Sequence, residues 1–249
     1  IMDKAQAKKL AFFLPNTFTA LNMGCGFASM IFGINGDIYK AAMVLILGAI
    51  FDSVDGRVAR MTGTQSLFGE QFDSISDVVS FGLAPAMLIW SHFLRDTGRI
   101  GLLVSFIYLL CGALRLARFN ANIDKVSSNY FQGLPIPGAA MAIVGFCLLS
   151  TQLPFLVEVK IIAIVYTLFF AALMISNIPF NSFKKSEWIK KHKKRALFLM
   201  FLLIALTFVY EEYMIVANIL LYVFGSLIYF VLNKGKFDEI FLWKSEDDQ

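Results

Sequence analysis

Charge is what this chain has least of. Only 16% of its 249 residues are Asp, Glu, Lys or Arg, and 58% are hydrophobic, with a mean hydropathy of +0.68. Soluble domains carry about 25% charged residues, so the shortage excludes an ordinary water-soluble domain. Cysteine is also scarce. Cys25, Cys111 and Cys147 lie apart in apolar stretches, a spacing that suits neither a disulfide framework nor a zinc site. The first apolar segment lacks a small-residue cleavage site, so no cleavable signal peptide is expected. A net charge of +4, spread over loops, gives no reason to expect a nucleic-acid partner.

Long apolar runs are abundant instead. A membrane span needs roughly 20 mostly apolar residues. Candidates lie at 15–35, 38–58, 74–93, 100–119, 137–153, 158–178, 196–210 and 212–232. The expected fold is therefore an all-α integral membrane bundle of about eight transmembrane helices, both termini on one side. If that side is the cytoplasm, only Lys40, Arg95, Arg99 and Lys160 of the 22 Lys and Arg fall outside. Such asymmetry orients the chain in the cytoplasmic membrane. The basic stretch KKSEWIKKHKKR (Lys184–Arg195) then reads as a cytoplasmic loop, or as a surface segment whose Trp188 and Ile189 dip among lipid headgroups. The expected organisation is a cytoplasmic segment 1–14, a helical unit 15–180, the basic loop 181–195, and two further helices with a tail, 196–249. Small residues at Ala41, Ala42 and Gly48 would permit a homodimer through close helix packing.

Against this background the segment FDSVDGRVARMTGTQSLFGEQFDSISD (Phe51–Asp77) stands out, with four aspartates at the ends of two spans. Asp52 and Asp55 are three apart, Asp73 and Asp77 four apart, so each pair projects from one helix face. A bare carboxylate in such a place costs a few kcal/mol. Grouped around divalent magnesium or manganese, the four form a hard-oxygen site with positions open to phosphate. Two such ions could stabilise both the attacking and the leaving oxygen of a phosphoryl displacement. Gly56 and Gly69 would let a phosphate approach the backbone, Arg60 offers it a planar fork, and Thr62, Thr64 and Ser66 supply hydroxyls. The plain alternative is an ion-pair network in which Arg57 and Arg60 neutralise Asp52 and Asp55.

The pattern Asp52-x-x-Asp55-Gly56-x-x-Ala59-Arg60, followed by Gly69-x-x-x-Asp73-x-x-x-Asp77, resembles the complete motif of the CDP-alcohol phosphotransferase family. The resemblance implies a six-helix catalytic core that moves a phosphatidyl group from a CDP-linked lipid to an alcohol and releases CMP. It implies two divalent ions on Asp52, Asp55, Asp73 and Asp77, with Asp77 also the base that activates the alcohol. It further implies that Gly56, Ala59, Arg60, Ser66 and Gly69 hold the nucleotide and its phosphates. Asn16 and Thr19 join them, because Pro15-Asn16-Thr17-Phe18-Thr19 is similar to the family's opening of its first span. Two helices beyond six suggest a subgroup.

The acceptor is read elsewhere. Arg115 and Arg118 are three apart on one helix face, either snorkelling cations or a clamp for an anionic acceptor. Serine and glycerol phosphate both fit such a clamp on charge; a quaternary ammonium would want an aromatic cage instead. The runs DVVSFGLAPA (Asp77–Ala86), RLARFN (Arg115–Asn120) and FQGLPIPGAA (Phe131–Ala140) resemble the subgroup whose lipid substrate is CDP-diacylglycerol and whose acceptor is L-serine. On that resemblance Asn120 and Gln132 join the arginines at the serine site. The unrelated route through paired HxKxxxxD motifs is excluded, because Leu199 stands where the aspartate after His192 belongs and Leu94 where the lysine after His92 belongs. A divalent-cation transporter would place its carboxylates near the bilayer midplane rather than at one face. A lipid scaffold gives no reason for four aspartates at this spacing.

Overall fold

Inside a bilayer a backbone must satisfy its own polar groups, so long apolar runs wind into helices. In a computed structural model of the chain, residues 4–121, 130–181 and 193–232 are described, and nearly all are helical. Helix α1 (Lys4–Ile34) turns back at Gly36, whose φ of +85° suits glycine, into α2 (Ile38–Thr62). Gly63 ends α2 in the left-handed region, and the Ser66 side chain accepts from Gly69 N–H at 3.1 Å to start α3. Helix α3 (Leu67–Thr97) contains two π-helical stretches, Val78–Leu83 and Trp90–Leu94. Then come α4 (Arg99–Ala121), strand β1 (Tyr130–Gln132), α5 (Ile136–Gln152), one turn at Phe155–Glu158 and α6 (Lys160–Ile175). Strand β2 (Pro179–Asn181) pairs antiparallel with β1, Gln132 opposite Pro179, before α7 (Lys193–Val209) and α8 (Glu211–Leu232).

Among the described residues, four stretches are long and apolar enough to cross a membrane: Phe13–Ile34, Leu67–Thr97, Arg99–Ala121 and Glu211–Leu232. Ile136–Gln152, Lys160–Ile175 and Leu197–Val209 are apolar but shorter. The chain is a helical membrane protein.

The first span, expected from 15, is apolar from Phe13, while helix α1 itself starts at Lys4 and runs through Pro15. The residues before Pro15 are good helix formers, and they carry the helix through it. The third span, expected from 74, begins at Leu67, because the Ser66 cap starts the helix two turns ahead of the apolar run. The basic stretch of the expected 181–195 loop lies outside the described residues as far as His192, as does everything beyond 232.

The core is an aromatic ladder across three helices. Phe93 of α3 stacks on Phe146 of α5 (4.8 Å), Phe146 on Tyr166 of α6 (4.4 Å), and Tyr166 meets Phe170 (4.8 Å). Ala41 and Ala42 are fully buried, and the Ser29 hydroxyl donates to the Ala41 carbonyl at 2.8 Å. A Cβ on Gly48 would stand 3.0 Å from Cys25 Cβ, so these small residues serve packing within one chain rather than an outward face.

Helix α8 meets α5 at Gly145. A Cβ there would lie 2.8 Å from Val216 Cγ2 and 2.9 Å from the Val216 nitrogen, and backbone cannot yield. Gly145→Leu is expected to push α8 off the core and to cost about 1–3 kcal/mol. A lowered melting temperature in detergent, followed by tryptophan fluorescence, checks it; an unchanged one would mean that α8 is not seated there. At the end of the bundle far from the aspartates, Tyr39 donates to Glu211 (3.0 Å) and Gln152 to Glu212 (3.3 Å), fastening the α7–α8 hairpin to α2 and α5.

Candidate active site

Helices α1, α2 and α3 converge at the end of the bundle where α2 stops and α3 starts. Two hydroxyls of α3 bind α1 carbonyls there: Ser76 to Thr19 at 3.1 Å and Ser80 to Asn22 at 2.9 Å. A Cβ on Gly26 would strike Ser80, so only glycine allows this approach of α1 to α3. The contact fixes the height of α3 against α1 and, with it, the position of its carboxylates.

Asp52, Asp55 and Asp73 each offer one oxygen within 4.8 Å of the other two. Asp55 is 5% exposed and accepts from the Thr19 hydroxyl at 2.8 Å, which orients its carboxylate. Asp77 lies against Asp52, outside that three-carboxylate group. Oδ1 of Asp73 and Oδ1 of Asp77 are buried without a hydrogen-bond partner among the described residues. The ion pairs among the described residues are Lys40–Asp37 and Lys160–Asp96, so neither Arg57 nor Arg60 neutralises the cluster as a salt bridge. Arg60 still exerts an attractive field on Asp55. Like charges held this close, with unused oxygens, fit a divalent cation better than an ion-pair network.

Beside the cluster lies a cavity of about 220 Å³. Its wall includes Asn16, Thr19, Gly56, Ala59, Arg60, Ser66 and Gly69 together with Asp55 and Asp73, so the seven residues expected to hold the nucleotide surround one space. Gly56 leaves room for the Arg60 guanidinium, which a Cβ would meet at 3.3 Å. Gln65 and Glu70 also line the cavity and were missed by the sequence reading. Glu70 carried a readable signal, three residues before Asp73 and so on the same helix face; Gln65 carried none.

The four residues expected at the acceptor site do not share that wall. Arg118 holds the end of α6: its Nη1 donates to the Ile175 carbonyl (3.1 Å) and Asn177 Oδ1 (3.2 Å), and its Nη2 to the Ser176 carbonyl (3.2 Å). Gln132 donates to the same Asn177 Oδ1 at 3.0 Å. Asn120 donates to Ser74 at 2.9 Å, tying α4 to α3 beside Asp73. Arg115 stands apart, buried and close enough to feel the field of Asp77. Of the two forks expected to form a clamp, that of Arg118 is engaged by the carbonyls at the end of α6.

A larger cavity, about 990 Å³, lies between α2, α5, α7 and α8. Its polar groups largely satisfy one another, Tyr39 with Glu211 and Asn218 with Thr207 (3.0 Å), which leaves an apolar volume unsuited to a nucleotide.

Comparison with known proteins agrees with the position of the cluster. Residues 12–173 match the sequence model of the CDP-alcohol phosphatidyltransferase family. Over 178 residues the chain is 36% identical to a CDP-diacylglycerol–serine O-phosphatidyltransferase of Helicobacter pylori, covering 71% of this chain and 75% of that one. Proteins of the same name from Methanocaldococcus jannaschii (42% over 161 residues; 65% and 73% covered) and Bacillus subtilis (35% over 173 residues; 70% and 92% covered) are also similar.

Proposed function

The chain belongs to the CDP-alcohol phosphatidyltransferase family, and on that premise we propose that it transfers the phosphatidyl group of CDP-diacylglycerol to the hydroxyl of L-serine, giving phosphatidylserine and CMP. The observation that carries the reading is a carboxylate cluster without a salt-bridge partner, two of whose members, Asp55 and Asp73, line a cavity shared with the family's nucleotide residues. The names of the similar proteins support serine as the acceptor.

Asp52, Asp55, Asp73 and Asp77 would hold two divalent ions, magnesium or manganese. Once bound, the ions neutralise phosphate charge and stabilise the attacking and leaving oxygens. The rest is the work of the chain. Asn16, Gly56, Ala59, Arg60, Ser66 and Gly69 bind the nucleotide and its phosphates, while Thr19 keeps the Asp55 carboxylate turned toward them. The serine oxygen forms a bond to the phosphatidyl phosphorus as the bond from phosphorus to the CMP oxygen breaks. The hydroxyl proton passes to Asp77, and the displacement is direct, since among the described residues no activated nucleophile with its own base lies near the motif to support a covalent intermediate. Residues 15–180 are assigned as the catalytic core and 181–249 as a basic loop, two added helices and a tail. The site is assigned to the cytoplasmic face of the cytoplasmic membrane from the distribution of Lys and Arg.

The test is an assay of purified protein with CDP-diacylglycerol, a divalent ion and labelled serine, run in parallel with glycerol 3-phosphate and inositol phosphate. Serine is expected to be the acceptor used, EDTA to abolish turnover, and magnesium or manganese to restore it. Preference for another acceptor would overturn the serine reading, and undiminished activity of metal-free enzyme would overturn the metal reading.

A further inference from the structure

Helices α1 and α2 run antiparallel, and the Thr19 hydroxyl of α1 donates to the Asp55 carboxylate of α2 at 2.8 Å. Three residues further along α1 stands Asn22, and three residues back along α2 stands Asp52. In an antiparallel pair these two steps lead to the same level, so the register that joins Thr19 to Asp55 sets Asn22 beside Asp52. The Asn22 carboxamide is fully buried, and neither its Nδ2 nor its Oδ1 has a hydrogen-bond partner among the described residues. An unmatched amide in the interior is costly, so its presence beneath the carboxylates calls for a use.

The helix directions show where it is aimed. Each Cβ leans toward the N-terminus of its own helix. Asn16 and Thr19, on the N-terminal side of Asn22, line the cavity with Asp55, so Asn22 leans toward the aspartates. Asp52 lies in the C-terminal half of α2 and leans the opposite way, toward Asn22. Gly48, one turn before Asp52, makes the room, since a Cβ there would stand 3.1 Å from Asn22 Oδ1. Helix α3 closes the third side: Ser80, one turn beyond Asp77, donates to the Asn22 carbonyl at 2.9 Å. Asp55 has its donor in Thr19. Asp52 lies against Asp77, but ionised carboxylates only accept, so Asp77 cannot give Asp52 a hydrogen bond when both carry charge.

We propose that Asn22 is a positioning residue whose amide N–H donates to the ionised Asp52 carboxylate, as the Thr19 hydroxyl does to Asp55. Helix α1 then aims both carboxylates that α2 offers to a divalent cation. The inference rests on the reading that the aspartate cluster binds such cations.

Manganese binding to the full chain in detergent, followed by the paramagnetic resonance of the free ion, reads the proposal apart from turnover. Asn22→Leu, branched like Asn and without polar atoms, should weaken manganese binding about 10–100-fold. At saturating manganese its KM for CDP-diacylglycerol should stay within about twofold of wild type. Its metal-free melting temperature should stay near or above that of wild type, because an unmatched buried amide is gone. Asn22→Ser, which keeps a shorter donor, should fall between wild type and Leu. Ser29→Ala removes the α1 hydroxyl that donates to the Ala41 carbonyl, two turns beyond Asn22; it should lower the melting temperature and leave manganese affinity within about twofold. Manganese affinity within about twofold of wild type in Asn22→Leu overturns the proposal, as does an equal loss in Ser29→Ala. If Asn22→Leu does not fold, Asn22→Ala takes its place under the same criterion. If wild type itself binds no manganese, the metal reading fails, and the proposal falls with it.

Discussion

Asn in place of Asp52, Asp55 or Asp73 will cut turnover by more than the about 10–100-fold that losing a ligand's supporting partner costs a metal site. Each change keeps the shape of the side chain and removes a charge from a trio whose oxygens lie within 4.8 Å of one another. The same charge repels its neighbours when no cation is present, so the metal-free variants should melt at or above the wild-type temperature. Manganese should raise the melting temperature of the wild type and do so far less in the variants. Labelled serine incorporation and thermal melts with and without EDTA measure both halves. A variant that keeps full turnover, or that loses it only by unfolding, would remove the cluster from the chemistry.

Asp77→Asn should lose kcat by about 10²–10⁴-fold, the range for a positioned acid or base, while CDP affinity moves only a few-fold. The expectation follows from where Asp77 lies: against Asp52 but outside the three-carboxylate group, with a buried Oδ1 that has no hydrogen-bond partner among the described residues. Steady-state kinetics beside CDP titration separate the possibilities. Weakened donor or metal binding at near-normal kcat would make Asp77 a ligand only.

The part of the site that could be read from the sequence is the part that is local. Asp52 and Asp55 share a face because they lie on one helix, and Asp73 follows across a connection only a few residues long, so spacing alone brings them together. The nucleotide residues on α2 and α3 follow from the same geometry. Arg118 shows what spacing could not reveal. Its charge was visible, but the carbonyls at the end of α6 that occupy it are remote in sequence. Ala41, Ala42 and Gly48 read equally well as an outward or an inward face, because small residues permit approach without naming the partner. Helix α1 starts well ahead of its span for another reason: hydropathy marks where lipid begins, whereas helix propensity and capping decide where winding begins.

The π-helical turn Val78–Leu83, immediately after Asp77, has a consequence for the phase of α3. A wider turn absorbs one residue beyond regular winding, and one residue of an α-helix corresponds to a rotation of about 100°. Upstream of that turn the helix presents Asp73 and Asp77 to the carboxylate cluster; downstream it presents Ala84 and Leu88 to the apolar core. A uniformly wound α3 could aim one of these groups correctly and would swing the other out of register. The helix thus works as a coupling between two angular settings, one fixed by chemistry and one by packing, and the extra residue lets both hold along a single unbroken rod.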